Sequence, residues 1–198
     1  MELNVVRAGE GPPVVLLHGL TATHRYVVMG SKNLERSGHD VIAYDARGHG
    51  ASDPGSSYSY ADLASDLRDV LDQAGIDRAF LAGASMGAHT ALRFALDSPE
   101  RVAGIAVITP GYDPQRYDDP DALRRWDALS AGLRSGGVQG FIDAYGTPSS
   151  ATQWNDTLIT GLRQRLEAHT HLDAVADALE QVPRSRPFDA ISELGGIE

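Results

Sequence analysis

Four short apolar runs constrain this chain more than any other feature: "VVLLHG" (Val14–Gly19), "DVIAYD" (Asp40–Asp45), "RAFLAG" (Arg78–Gly83) and "RVAGIAVIT" (Arg101–Thr109). Each is rich in Val and Ile and lacks polar alternation, the pattern of a strand buried on both faces. The segments between them supply the covering helices. In "YADLASDLRDVLDQAG", Leu63, Leu67, Val70 and Leu71 share one face and Gly75 ends the segment. In "GAHTALRFALDSPE", Ala88, Ala91, Leu92, Ala95 and Leu96 do the same, with Pro99 just beyond. Strands alternating with helices predict βαβ units, hence a mostly parallel α/β sheet with right-handed crossovers. Upstream, "ELNVVRAG" reads as one more short strand, closed by the turn-rich "GEGPP".

Beyond Thr109 the pattern changes. "PGYDPQRYDDPD" is a Pro/Asp-rich loop, and from about Asp121 to Leu194 the periodicity is helical. Three stripes carry it: Ala122, Trp126, Leu129, Leu133; Trp154, Leu158, Leu162, Leu166; and Leu172, Val175, Leu179, Val182. The expected division is an α/β core over 1–111, a helical subdomain over 112–187 and a return segment over 188–198. In "RPFDAISELGGIE", Gly195-Gly196 reads as the end of a helical turn, where another strand is expected to begin.

A chain of 198 residues can fill one core with a small appended subdomain. The formal net charge is −10 and no Lys/Arg block stands out, which argues against nucleic acid and anionic membrane as partners. With no cysteine, disulfides, thiolate metal sites and a cysteine nucleophile are excluded. The N-terminus has no basic-then-apolar signal pattern, and no apolar run approaches the roughly 20 residues that span a bilayer. A cytoplasmic protein is expected.

The chemistry centres on Gly83-Ala84-Ser85-Met86-Gly87, a G-x-S-x-G match with an apolar strand before it and a helical period after it. So tight a turn leaves no room for a Cβ two residues either side of the serine. It lifts Ser85 Oγ clear of the sheet and sets it at a helix N-terminus, whose partial positive charge favours a developing oxyanion. A serine that merely caps a helix is the bland alternative, and the strand–helix context weighs against it. A strand ending in His18-Gly19 places the next loop at the edge where ligands bind in open α/β sheets, so the Leu20 N–H could face the Met86 N–H as a two-donor oxyanion hole. In "YDARGHGASD", His49 sits in a short glycine-rich loop, where fixing loop geometry by hydrogen bonding outweighs an active-site role.

Taken together, "VVLLHGL", "VIAYDARGHGASD" and "LAGASMGAHTALRFALDSPERV" resemble the α/β-hydrolase fold superfamily, in the order and spacing of its esterase-like members. The resemblance covers Val14 to about Thr109 strongly and Asp121–Leu194 loosely, where that family inserts a helical cap. It implies Ser85 as nucleophile, Leu20 and Met86 as oxyanion donors through their backbone N–H groups, and a cap that shapes the pocket. It implies no cofactor and no metal.

The resemblance also exposes a departure. The family's acid follows the strand after the cap and its histidine follows one more strand; neither position has a match here, so a truncated or split chain is expected. Seven histidines are available: His18, His24, His39, His49, His89, His169 and His171. His18 is expected to support the oxyanion loop, His89 to lie one turn beneath the elbow, and His39 to sit away from the site. His24, His169 and His171 could overhang the pocket but are first read as surface or packing residues, and H-x-H alone is a poor metal site. Asp113 is the one candidate acid, although "GYDP" suits an Asx turn ahead of Pro114. If the family's strand order holds, Val102–Ile108 would be left as a bare apolar edge, to be covered by a complementary chain or a second copy.

Three readings follow. The first is a serine hydrolase of a small carboxylic ester, thioester or lactone, working through an acyl-enzyme. The others are a non-catalytic small-molecule-binding protein and an inactive fragment.

Overall fold

The computed structural model describes residues 1–146 and 152–197, and for Arg116 and residues 152–155 the backbone alone. Among the described residues five strands form one sheet: β1 (Val5–Ala8), β2 (Pro13–Leu17), β3 (Asp40–Tyr44), β4 (Ala79–Ala84) and β5 (Val102–Ile108), in the order β1-β3-β2-β4-β5. The β2–β3, β2–β4 and β4–β5 pairs are parallel, and β1 alone runs antiparallel, pairing Val5 with Tyr44 and Ala8 with Val41. The four apolar runs are therefore the parallel strands, as the lack of alternation predicts.

Helices cover both faces. On one, α2 (Tyr60–Gln73) and α3 (Met86–Asp97) bury Leu67, Leu71 and Phe94 against Val15, Ile42 and Leu81. Ser59 starts α2 with a capping box to Asp62, and Gly75, at φ +68°, follows its end. Each fully buried leucine there contributes roughly 1.5–3 kcal/mol. On the other face, Val14, Leu16, Val41 and Ala43 pack beneath Val27, Val28 and Leu34, the last from the short α1 (Asn33–Arg36). The α3 stripe differs from the one read in the sequence. Ala88, Ala91 and Ala95 are buried, but Leu92 and Leu96 are only half-buried and Phe94 fills the core. The first turn of α3 is enclosed on all sides, so a single apolar stripe describes it poorly.

Strand β5 is the apolar edge that the family's strand order implies, and it departs only from the two-sided burial read in its composition. It lies at the sheet edge, and Val107 and Ile108 are 42% and 41% exposed, with Phe80 of neighbouring β4 at 39%. Burial on both faces, read from the composition of that run, holds for β2 and β3 and fails here. An edge strand lacks the second neighbour that would cover it.

Past β5, a 3-10 turn over Pro114–Tyr117 leads into α4 (Pro120–Tyr145), α5 (Thr152–Glu167) and α6 (Leu172–Gln181). Gly137, at φ +57°, breaks α4, so the second half folds back until Gly132 and Gly140 meet backbone to backbone. Leu129 and Leu133, Leu162 and Leu166, and Val175 and Leu179 form one apolar cluster, joining three stripes that lie far apart in sequence. The side chain of Trp154 lies outside the described residues. The closing "ISELGG" is a 3-10 turn, Ile191–Gly196.

A buried ion pair anchors the loop after β3 to α2. The Arg47 guanidinium grips Asp66 through Nε and Nη2, both at 2.7 Å, and also donates to Ser57 O and Asp62 O. Burial opposes ionisation of Asp66 and Arg47 opposes that effect, and the paired, ionised state satisfies both groups. Replacing Arg47 by Met strands the buried carboxylate and is expected to cost about 3–5 kcal/mol in urea denaturation. Arg134→Met, which breaks a solvent-exposed pair with Asp177, should stay within about 1 kcal/mol.

Candidate active site

Strand β4 delivers the chain into a turn where Ser85 takes φ +50° and ψ −112°, a strained conformation for a residue with a side chain. Close packing enforces it. A Cβ on Gly83 would lie 2.3 Å from Gly87 O, and one on Gly87 would lie 2.2 Å from Leu17 O. Ser85 is the residue before α3, its N–H donates to Ile108 O at 2.9 Å, and its side chain makes no capping bond. The serine is exposed although the turn of helix that follows it is buried.

Ser85 borders a cleft of about 660 Å³ whose walls include Leu20, Met86, Trp126, Phe141 and Leu162. The cleft is thus made by the β2 and β4 loops on one side and by α4 and α5 on the other. Both Leu20 and Met86 line it, as does Asp113. Asp113 accepts a hydrogen bond from the Gln115 N–H at 3.0 Å, the Asx turn that its position before Pro114 suggests. His89 also borders the cleft, one turn beyond Ser85. It is buried, its Nδ1 lies 3.1 Å from Tyr60 Oη, and burial pushes its pKa down to about 4. Among the described residues, His89 meets Ser85 through its backbone N–H on Ser85 O at 3.1 Å, and no histidine ring hydrogen-bonds the Ser85 hydroxyl.

The other buried histidines gather behind the Gly19–Thr21 loop. His18 donates from Nδ1 to Gly19 O at 2.8 Å and accepts the Ala46 N–H on Nε2 at 2.9 Å. His49 donates from Nδ1 to Arg47 O. His169, from the segment between α5 and α6, accepts the Gly50 N–H on Nδ1 at 2.7 Å and presents Nε2 to Thr21 O at 3.2 Å. The His49 ring stands 5.2 Å from that of His18 and 5.5 Å from that of His169. For His18 and His169 the two partners fix a neutral tautomer. Burial then lowers the pKa of all three, that of His18 to about 4.

Asp45 holds the same loops from the β3 side. Burial works against its charge, but hydrogen bonds from Asn4, His24 and Ala51 keep its pKa below the usual carboxylate range. His24 is committed to Asp45 through Nδ1 at 2.9 Å. His39 bonds Leu34 O, outside the cleft, and His171 precedes α6. His18 and His49 thus fix loop geometry, as the sequence suggests. The bridge made by His169 was not readable, because its two partners lie 119 and 148 residues away.

These neutral histidines make stability depend on pH in a stated direction. Below pH 6.5 the unfolded chain binds protons that folded His18 refuses until about pH 4, so stability falls as the pH drops through that window. His18 alone should cost about 2 kcal/mol between pH 7 and pH 5. Urea midpoints at the two pH values check this; a flat profile would exclude the neutral arrangement.

Comparison with known proteins agrees with this fold. Residues 12–191 match the family described as alpha/beta hydrolase fold. A 2-hydroxy-6-oxononadienedioate/2-hydroxy-6-oxononatrienedioate hydrolase of Pseudomonas putida is 30% identical over 207 aligned residues, covering 100% of this chain and 72% of that one. Among solved structures, a thermophilic esterase from Thermogutta terrifontis superposes with a TM-score of 0.71 at 26% identity, covering 91% of this chain and 68% of that one. A structure from a study of Nitrososphaera gargenis carboxylesterases reaches a TM-score of 0.78 at 20% identity, covering 97% of this chain and 71% of that one. With the parallel sheet, the strained serine turn and a match spanning most of its length, this chain belongs to the α/β-hydrolase fold family.

Proposed function

We propose that this chain is a serine hydrolase of a small carboxylic ester, thioester or lactone, acting through an acyl-enzyme. The observation that carries the reading is Ser85 itself, exposed on a strained turn at the start of α3 and open to the cleft. A cap-forming serine would turn its hydroxyl onto the helix, whereas Ser85 makes no such bond. In this reading Oγ attacks the substrate carbonyl, and the backbone N–H groups of Leu20 and Met86 receive the oxyanion. Collapse of the tetrahedral adduct expels the alcohol or thiol, which takes up the proton released by Oγ. Water then attacks the acyl-enzyme and frees the acid. Helices α4–α6 act as the cap, and their apolar side chains in the cleft suit an acyl or alcohol group of moderate size.

Relatives support the class without fixing the substrate. The Pseudomonas putida relative is named as a hydrolase of an oxo-dioate, and the Thermogutta terrifontis protein as an esterase. The outer edge of β5, apolar and unpaired among the described residues, is where a complementary chain or second copy would pair.

A second reading rests on a specific observation, that no described histidine ring reaches the Ser85 hydroxyl by a hydrogen bond. On that reading the cleft holds a small ligand without turning it over. Incubation with a fluorophosphonate probe and mapping by mass spectrometry separates the two. Stoichiometric label on Ser85, lost in Ser85→Ala, is expected of the hydrolase. An unlabelled serine beside tight small-molecule binding would establish the binding protein instead.

A further inference from the structure

We propose that His169 is a positioning residue for the oxyanion hole, holding the Gly19–Thr21 loop in its working shape from the helical side of the cleft. The inference rests on the hydrolase reading of Ser85 and Leu20. A peptide group is planar and trans, so the Gly19 carbonyl and the Leu20 N–H point in opposite directions from one plane. Gly19 O is held from behind by His18 Nδ1 at 2.8 Å and by the Ala22 N–H at 3.0 Å. Fixing that oxygen aims the Leu20 N–H the other way.

The loop does not keep this shape for free. Thr21 sits at φ +66°, in the left-handed region that a β-branched residue strongly disfavours. Among the described residues, the side chain that meets Thr21 O is His169, through Nε2 at 3.2 Å. The same ring accepts the Gly50 N–H at 2.7 Å, and the adjacent Thr170 N–H donates to Gly50 O at 2.8 Å. His169 is thereby clamped onto the β3 loop on one side and grips the Leu20 loop on the other. Its ring is a rigid link between two loops that also meet through His18 and through the Asp45–His24 pair. A residue that only tied the helical layer to the core would need no neutral donor aimed at a strained carbonyl.

Two readouts test this: the rate constant for fluorophosphonate labelling of Ser85, and hydrogen exchange at the Ala22 amide by NMR. His169→Phe keeps an aromatic ring and removes both hydrogen bonds. It should slow labelling about tenfold or more, since misplacing an oxyanion donor is costly, and should speed Ala22 exchange. His169→Gln, with a neutral amide able to donate to Thr21 O, should recover most of both. Leu71→Ala, buried between α2 and the sheet in a cluster that shares no residue with the cleft lining, should lower stability yet leave labelling and Ala22 unchanged. Wild-type behaviour of His169→Phe, failure of His169→Gln to recover, or equal slowing by Leu71→Ala would each overturn the proposal. If His169→Phe does not fold, His169→Asn replaces it, keeping an acceptor near Nδ1 without the donor at Nε2. Should the wild-type serine take no label, the hydrolase reading fails, and Ala22 exchange alone decides whether His169 positions the loop.

Discussion

The first turn of α3 lies against the end of β2 so closely that a single Cβ on Gly87 would overlap the Leu17 carbonyl. The serine half of the site follows from that approach. Because α3 begins there, β4 must turn into it without spare chain, and the residue between them has to accept a positive φ. The strain is borne by Ser85 and kept in place by packing around it, with Gly83 against Gly87 and the Ser85 N–H on Ile108 O. A serine placed by that geometry cannot relax into an ordinary helix cap. Its exposure is therefore a consequence of the core beneath it.

The loop opposite is held by a different principle. His18 and His169 each take a backbone N–H from the β3 loop on one ring nitrogen and give the other N–H to a carbonyl of the Gly19–Thr21 loop. A neutral imidazole is well suited to this because it is a donor and an acceptor on one rigid plane. Protonation would set an N–H against an N–H, and burial already disfavours the charge. Asp45, by contrast, stays ionised because its oxygens only accept, from Asn4, His24 and Ala51.

The sheet and the serine turn were legible because local sequence determines them. Val/Ile runs such as Val14–Leu17 declare buried strands, and Gly83 and Gly87 mark the tight approach before any coordinate is known. The Asx turn at Asp113 was legible for the same reason, since Pro114 and Gln115 are its neighbours. What composition could not convey was exposure at β5, because an apolar strand reads alike at a centre and at an edge. The partners of His169 were out of reach too. Nothing around "EAHTHLD" indicates that its first histidine meets Thr21 and Gly50 rather than solvent.

These two kinds of constraint divide the site. Side-chain volume fixes the Ser85 half, where glycines admit a contact that any larger residue would block. Hydrogen-bond direction fixes the Leu20 half, where buried rings decide how carbonyls point. Steric packing is insensitive to pH, whereas a hydrogen-bonded imidazole is not, so the two halves respond differently to acid. The serine turn should keep its shape under conditions in which the facing loop loses its own.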